Sequence, residues 1–249
     1  MLSVKNISYN YSKKGFGIKD INIDLADGYF TTLLGKNGAG KTTLLKLMYK
    51  MLLPKSGEII WNGEEIGPKN LCDFKKDVAY VDDSGWCRES LTLNENVDLF
   101  SGMYEQFDTK EFEDYLNKFE LDCNLDEKHF SELSKGEQMK YLIAFALARK
   151  PKFLIMDEPF TNLDPIVKTD LIEAIHQKVM NDNMGVIMST HLVEDVSNIT
   201  DYVVIMEEGK VKLFGDRDTV MTDKSVMSFR ELMVSEVWKN CLKEKRRRG

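Results

Sequence analysis

Cysteine is scarce and scattered in this chain of 249 residues: Cys72, Cys87, Cys123 and Cys241 form neither a CxxC pair nor a zinc-type spacing. A disulfide framework is therefore excluded as the source of stability, and free thiols of a reducing compartment fit the pattern. Long apolar runs are lacking as well. The best of them, residues 141–148, runs into Arg149 and Lys150 and falls well short of the roughly 20 residues a spanning helix needs, so the chain is expected not to cross a membrane. No charged and then apolar leader opens the sequence, which predicts a cytoplasmic protein. Internal repeats and low-complexity segments are missing ahead of a basic tail, leaving one functional unit. Positive charge is in deficit: the net charge is -7, and basic residues concentrate only at Lys243, Lys245, Arg246, Arg247 and Arg248. An acidic chain repels a polyanion, so no nucleic-acid partner is expected.

What is present is an ordinary folded balance, 43% hydrophobic and 30% charged, with enough length to bury a sizeable core. Residues 2–7 and the alternating Ile21, Ile23 and Leu25 read as half-buried strands, and Asn62-Gly63 between two extended runs predicts a hairpin. An apolar run over 29–34 leads into glycines, after which Leu44, Leu45 and Met48 show helical spacing: strand, loop, helix. From about 88 to 148 the pattern is helical, with few strand signals, and reads as an insertion. Short apolar runs at 153–156, 185–189 and 202–206, separated by helical stretches, predict parallel strands buried on both faces and hence an α/β core. Beyond Gly215 the pattern weakens. Val226, Phe229, Met233 and Val237 could line a last helix, expected to pack on its own domain ahead of a solvated tail.

Three segments carry chemistry. Residues Gly35-Lys36-Asn37-Gly38-Ala39-Gly40-Lys41-Thr42 satisfy G-x-x-x-x-G-K-S/T, in which glycines let successive backbone N–H groups curl around phosphate oxygens. Lys41 would reach the β- and γ-phosphates, Thr42 would ligate Mg²⁺, and the following helix offers its positive end. This implies a magnesium-bound nucleoside triphosphate, ATP first. The run 153–156 ends at Asp157-Glu158, two carboxylates at the carboxyl edge of a parallel strand, where ligands bind such sheets. Asp157 suits the metal's water shell and Glu158 the attacking water. Finally, Ser134 and Glu137 have the S-x-x-E spacing of a capping box, so a helix starts there and ends near Pro151. Capping is one reading of Ser134; a second phosphate-binding helix end, with side-chain-free Gly136, is the other.

Taken in order, the phosphate loop, the Leu133-Ser134-Lys135-Gly136-Glu137 segment and the acidic strand end resemble the ATP-binding subunits of ATP-binding cassette (ABC) transporters over nearly all of residues 2–215. The resemblance implies a P-loop NTPase core with a mostly parallel sheet, an N-terminal antiparallel β subdomain and a helical subdomain insertion, together an ATPase domain over 1–220 with an appendage and basic tail over 221–249. It implies ATP and Mg²⁺ as cofactors, with Thr43 among the phosphate-contacting residues. Ser134 and Gly136 would bind the γ-phosphate held by a second subunit, making a homo- or heterodimer. Asp164, independently a helix cap before Pro165, would cross that interface. His191 would act as a switch residue on the γ-phosphate, Tyr11 would stack on adenine, with Tyr9 a close competitor, and separate membrane-spanning permease subunits would receive the work at the inner face of the membrane. Two departures stand out: Asp83 where the family usually has a metal- or water-touching glutamine, and Lys135 where glycine is common. An aspartate adds charge beside a triphosphate and cannot donate as an amide does. The competing expectation is a soluble ABC ATPase serving assembly, of the iron–sulfur type, or regulation, without a membrane partner.

Overall fold

The computed structural model describes residues 1–12, 15–161, 163–191 and 198–221, and the structural statements below concern these. The expected last helix around 226–237 and the basic tail lie outside them.

The alternation of Ile21, Ile23 and Leu25 marks one strand of an antiparallel ribbon whose other strand shifts register between Val4 and Ile7 and between Ile7 and Tyr9. Strand β1 (Leu2–Asn10) pairs with β2 (Gly17–Leu25), setting Val4 opposite Ile23 and Ile7 opposite Ile21, all buried, while Asn22 and Asp24 face water. On its other side β1 carries β4 (Ser56–Trp61), which turns through Asn62 (φ 51°) and Gly63 (φ 88°) into the short β5 (Glu64–Glu65). Two successive positive φ angles are what a two-residue hairpin with the right twist requires. These four strands, in the order β2-β1-β4-β5, form the antiparallel subdomain.

The second sheet holds the apolar runs. It comprises β3 (Phe30–Leu34), β6 (Val78–Val81), β7 (Phe153–Asp157), β8 (Gly185–Thr190), β9 (Tyr202–Glu207) and β10 (Lys210–Asp216), in the order β10-β9-β3-β8-β7-β6. All neighbours are parallel except β9 and β10. Every residue of β3 and β8 is buried, as a strand covered on both faces demands. Strand β6 escaped the sequence reading because it is four residues long, too short for a period to show. The edge strand β10 alternates poorly since most of its residues are only half-buried, and it is followed by α7 (Arg217–Met221), so order continues past Gly215.

Two cores flank this sheet. Between it and the antiparallel sheet lies α1 (Lys41–Met48), whose Leu44, Leu45, Leu47 and Met48 pack with Ile59, Trp61, Ile155 and Ile187. A short helix α2 (Leu71–Asp77) contributes Phe74 to the same core. The opposite face is covered by the helical segment between β6 and β7: α3 (Leu93–Ser101), α4 (Thr109–Lys118), a 3-10 turn at Phe130–Glu132 and α5 (Lys135–Ala148), joined by α6 (Pro165–Asp182). Helix α5 is apolar nearly all round because it is buried between the sheet and the other helices; Tyr141 is fully enclosed and its hydroxyl donates to the Leu93 carbonyl at 2.7 Å. Capping boxes start α3 at Thr92 and α5 at Ser134.

Candidate functional site

Sheet register alone gathers the functional segments. Leu34 lies opposite Thr190, Ser189 opposite Asp157, and Met156 opposite Val81. Consequently Gly35, His191, Glu158 and Asp82 leave the sheet side by side at its carboxyl edge, where parallel strands present ligand sites. Strand β8 lies between β3 and β7, so His191 sits between the glycine loop and the acidic strand end.

The loop from Gly35 to Thr42 has the torsions its glycines predict. Gly38 (φ 80°) and Gly40 (φ 106°) are left-handed, and a Cβ on Gly40 would lie 2.8 Å from Ile18 Cγ2. At Gly35 the constraint is space: a Cβ would meet the Met206 carbonyl oxygen at 2.7 Å. Gly40 caps α1 without a side chain, and no acidic residue stands in the first turn. The positive helix end is therefore left uncompensated by protein carboxylates, and its free N–H groups suit an anion. Lys41, 5% exposed, donates from Nζ to the Gly35 carbonyl at 2.8 Å and stands 3.4 Å from Glu158 Oε1. Ala39 and Thr43 are buried behind the loop, whereas Asn37 and Thr42 are exposed on it.

Beside the loop lie two clefts. One, of about 420 Å³, is bounded by Phe16, residues 35–39 and Met206 to Glu208. The Tyr11 ring is 57% exposed next to the loop, its hydroxyl 3.1 Å from Thr43 Oγ1, while Tyr9 meets it edge-on and packs against the inner core. Of the two tyrosines Tyr11 is thus the one with a free face. Phe16, which no motif announces, is the second aromatic here.

The other cleft, of about 450 Å³, is lined by Thr42, Lys46, Asp82, Asp83, Lys135, Gln138, Asp157 and Glu158 among others. Its donors are mainly hard oxygens, the chemistry Mg²⁺ prefers. Among the described residues no cluster of three or more His, Cys, Asp or Glu side chains could hold a metal alone. That fits an ion sharing Thr42 and Asp157 with phosphate and water oxygens, since Mg²⁺ keeps several non-protein ligands. Ser189 organises this edge: its hydroxyl donates to Asp157 Oδ1 at 2.5 Å and accepts from the Glu158 amide at 3.0 Å. Glu158 itself has φ 47°, a conformation uncommon for a residue with a side chain, and its Oε2 is 2.9 Å from His191 Nδ1. Asp82 is nearly buried, tied to the Ser84 amide at 3.1 Å and facing Lys46 at 3.9 Å. Burial, and then the Asp82 and Asp157 charges, push the Tyr80 phenol upward. Asp83 is exposed on the wall of the cleft.

Of the two roles the sequence allows Ser134, the structure contains the cap: it starts α5, accepting from the Glu137 amide at 3.3 Å while its own amide donates to Glu137 Oε2 at 2.8 Å. Bonds from Ser134 hold the Glu137 carboxyl below the ordinary range. Asp164 caps α6 through the Ile166 amide at 2.9 Å, with Pro165 at the first position, and a Cβ on Gly136 would stand 3.3 Å from Leu163. None of Ser134, Gly136 and Asp164 lines either cleft beside the loop; from α5 Lys135, Gln138, Met139 and Leu142 do. Of the residues missed by motif reading, Ser189 and Asp82 are placed by sheet register, Lys46 by α1 and Phe16 by the loop ahead of β2; for Ser189 and Asp82 the sequence signal was a polar residue closing an apolar strand.

Ser189 yields a first prediction. Ser189→Ala removes the bond that holds Asp157 and leaves the Glu158 amide with only the Ser189 carbonyl at 3.1 Å, and is expected to lower kcat about tenfold at a stability cost of about 1 kcal/mol. Phosphate-release kinetics and a thermal melt check it; unchanged kcat with a lowered melting temperature would reduce Ser189 to a purely structural role.

Comparison with known proteins now adds to the geometry. The ABC transporter family model matches residues 18–161. The energy-coupling factor transporter ATP-binding protein EcfA2 of Streptococcus pyogenes is 30% identical over 253 residues, spanning 96% of this chain and 89% of that protein. A solved ATP-binding subunit of an ABC transporter superposes with a TM-score of 0.83 at 29% identity, covering 94% of this chain and 98% of the other. CbiO1 from Clostridium perfringens, described as part of the ABC transporter complex cbiONQ, gives 0.72 at 27% identity over 98% of both chains. The family match, the α/β fold with its antiparallel subdomain and the loop-centred edge agree, and the chain belongs to the ABC transporter family as a subunit that binds and hydrolyses ATP.

Proposed function

We propose that this subunit works as one half of a nucleotide sandwich. In this reading Lys41, the backbone over 35–42 and Thr43 hold the phosphates, Tyr11 stacks on adenine, and Ser134 and Gly136 complete the phosphate site of a second copy or a second ATP-binding subunit, with Asp164 at the seam. Thr42 and Asp157, with Asp83 on the water side, hold Mg²⁺. Held there, Mg²⁺ would supply positive charge to offset what develops on the phosphates. Glu158 takes a proton from the attacking water, and His191 orients Glu158 through the 2.9 Å contact while facing the γ-phosphate. Residues 1–220 act as one ATPase domain with 88–148 as its helical insertion, and 221–249 form an appendage.

The observation that carries the proposal is the position of Ser134 and Gly136. They stand at the start of a long capped helix, Ser134 exposed, away from the clefts flanking their own loop. Helix starts bind anions through first-turn N–H groups; here the Ser134–Glu137 capping box occupies two amides, and the other first-turn amides, at Lys135 and Gly136, are the ones a phosphate would meet. Support for membrane-spanning partners comes from the exposed apolar side chains Leu99 and Met103 on the helical insertion and Met51 and Leu53 just after α1, of which Met51 and Met103 line one cleft. Among the described residues no helix is long and apolar enough to cross a membrane, so the permease would be a separate chain and this subunit peripheral on the inner face.

The test is association on nucleotide. With Mg²⁺ and ATP, the Glu158→Gln subunit is expected to run at twice the protomer mass in light scattering, and Ser134→Arg introduced into it is expected to keep ATP binding while remaining a protomer. If Ser134→Arg associates as before, the sandwich reading is wrong.

A further inference from the structure

The charged groups of the 450 Å³ cleft can be paired off one by one. Asp157 is held by Ser189, and Glu158 lies between His191 and Lys41. Asp82 is bonded by Ser84 and faced by Lys46. Two groups are left over. Asp83, just past the end of β6, and Lys135, in the first turn of α5, both line the cleft, both are exposed, and neither has a hydrogen bond or ion pair among the described residues. They carry opposite charges and belong to different layers: Asp83 to the sheet edge, Lys135 to the helical insertion. A cleft of 450 Å³ is the size of a small-ligand pocket, and a lysine's flexible four-carbon stem can reach across much of it.

We propose that Asp83 and Lys135 are a positioning pair, an ion pair that forms across the cleft within one chain and draws the start of α5 toward the carboxyl edge of the sheet. The proposal rests on the hydrolysis site described above and adds a cross-cleft tie to it. Three physical points carry it. Each group on its own is poorly placed: Asp83 adds negative charge beside three other carboxylates, and Lys135 stands in the first turn of a helix, where the dipole disfavours a cation. Pairing removes both penalties at once. The pair also strengthens when the cleft narrows and water leaves it, because the local dielectric falls. Finally, Lys135 lies directly between Ser134 and Gly136, so pulling on Lys135 moves the two residues proposed to meet a second subunit's nucleotide. Asp83 thus links what happens beside its own Asp157 and Glu158 to the orientation of the opposite-facing phosphate site.

A charge-reversal cycle tests this on the full chain, with Mg²⁺ and ATP, by reading kcat and KM for phosphate release. Asp83→Lys and Lys135→Asp are each expected to lower kcat about fivefold, and the double reversal to lower it no further than the Asp83→Lys change alone instead of by the product of the two effects, a coupling in the range seen for residues in contact. The parent's kcat should fall with salt between roughly 0.05 and 0.5 M more steeply than that of a Asp83→Asn, Lys135→Gln double variant, which has no pair left to screen. Reversals whose effects simply multiply, together with equal salt slopes, would overturn the pair while leaving the hydrolysis site intact. A parent chain without ATPase activity would instead undo the reading beneath it. Thermal melts of each variant separate loss of folding from loss of coupling, and Asp83→Asn with Lys135→Gln gives a neutral cycle should either reversal fail to fold.

Discussion

Lys41→Ala is expected to weaken ATP binding at least a hundredfold, to the point where a fluorescent ATP analogue shows no saturable signal at micromolar protein. The magnitude follows from what surrounds the ammonium. Its side chain is 5% exposed, held by the Gly35 carbonyl at 2.8 Å, and is therefore already desolvated and aimed across the loop. Charge-assisted hydrogen bonds contribute about 1.5–3 kcal/mol each, and Lys41 would make them to two phosphates. A second loss adds to this one. Without Lys41 the Glu158 carboxylate, 3.4 Å away, keeps His191 as its side-chain partner among the described residues and repels the incoming triphosphate. Lys41→Met is the control for packing, because it keeps the stem and removes only the charge. Both variants should bind equally poorly and keep the parent circular dichroism spectrum. A dissociation constant within threefold of the parent for either one would remove Lys41 from the nucleotide site.

How much of this could be read from residues differs between elements, for physical reasons. The glycine loop was legible because three constraints converge on a few adjacent residues: positive φ at Gly38 and Gly40, close backbone approach at Gly35, and a bare helix start at Lys41. The capping boxes at Thr92 and Ser134 and the Asn62-Gly63 turn were equally local, and the Ser134 box and that turn were read directly. Strand β6 was not, since four residues carry no usable period and the strand exists because β7 offers it an edge. Ser189 was missed for a related reason. Its importance comes from standing opposite Asp157 in the parallel register of β7 and β8, a relation between residues 32 positions apart. Pairing is not written in the motifs at all: that Asp82 is tied down while Asp83 is left over among the described residues is a fact of side-chain geometry.

Glu158→Gln is expected to separate the two halves of the activity, lowering kcat by about 10²- to 10⁴-fold, the usual weight of a positioned general base, while ATP binds as well as or better than before. The substitution preserves volume and the two polar atoms of the side chain, so the contacts at 3.4 Å to Lys41 and 2.9 Å to His191 can be re-formed by one amide orientation. What disappears is the negative charge and the capacity to take a proton from water. Loss of that charge beside a triphosphate is favourable for binding, which gives the variant its signature: a kcat that collapses with a Kd that holds or tightens. The opposite split is expected for Lys41→Ala, where binding goes first. The backbone makes the same point in another way. Glu158 sits at φ 47°, outside the comfortable region for a residue with a Cβ, and its amide donates to the Ser189 hydroxyl at 3.0 Å and carbonyl at 3.1 Å, which hold it there. A carboxylate kept in an unfavourable conformation at the sheet edge, between a lysine and a histidine, is one whose position has been fixed for a purpose other than folding. Glu158→Gln should therefore cost little stability, and a small gain in melting temperature would agree with relief of charge crowding. Phosphate release at the parent rate would transfer the proton-accepting role from Glu158 to another group on the same edge.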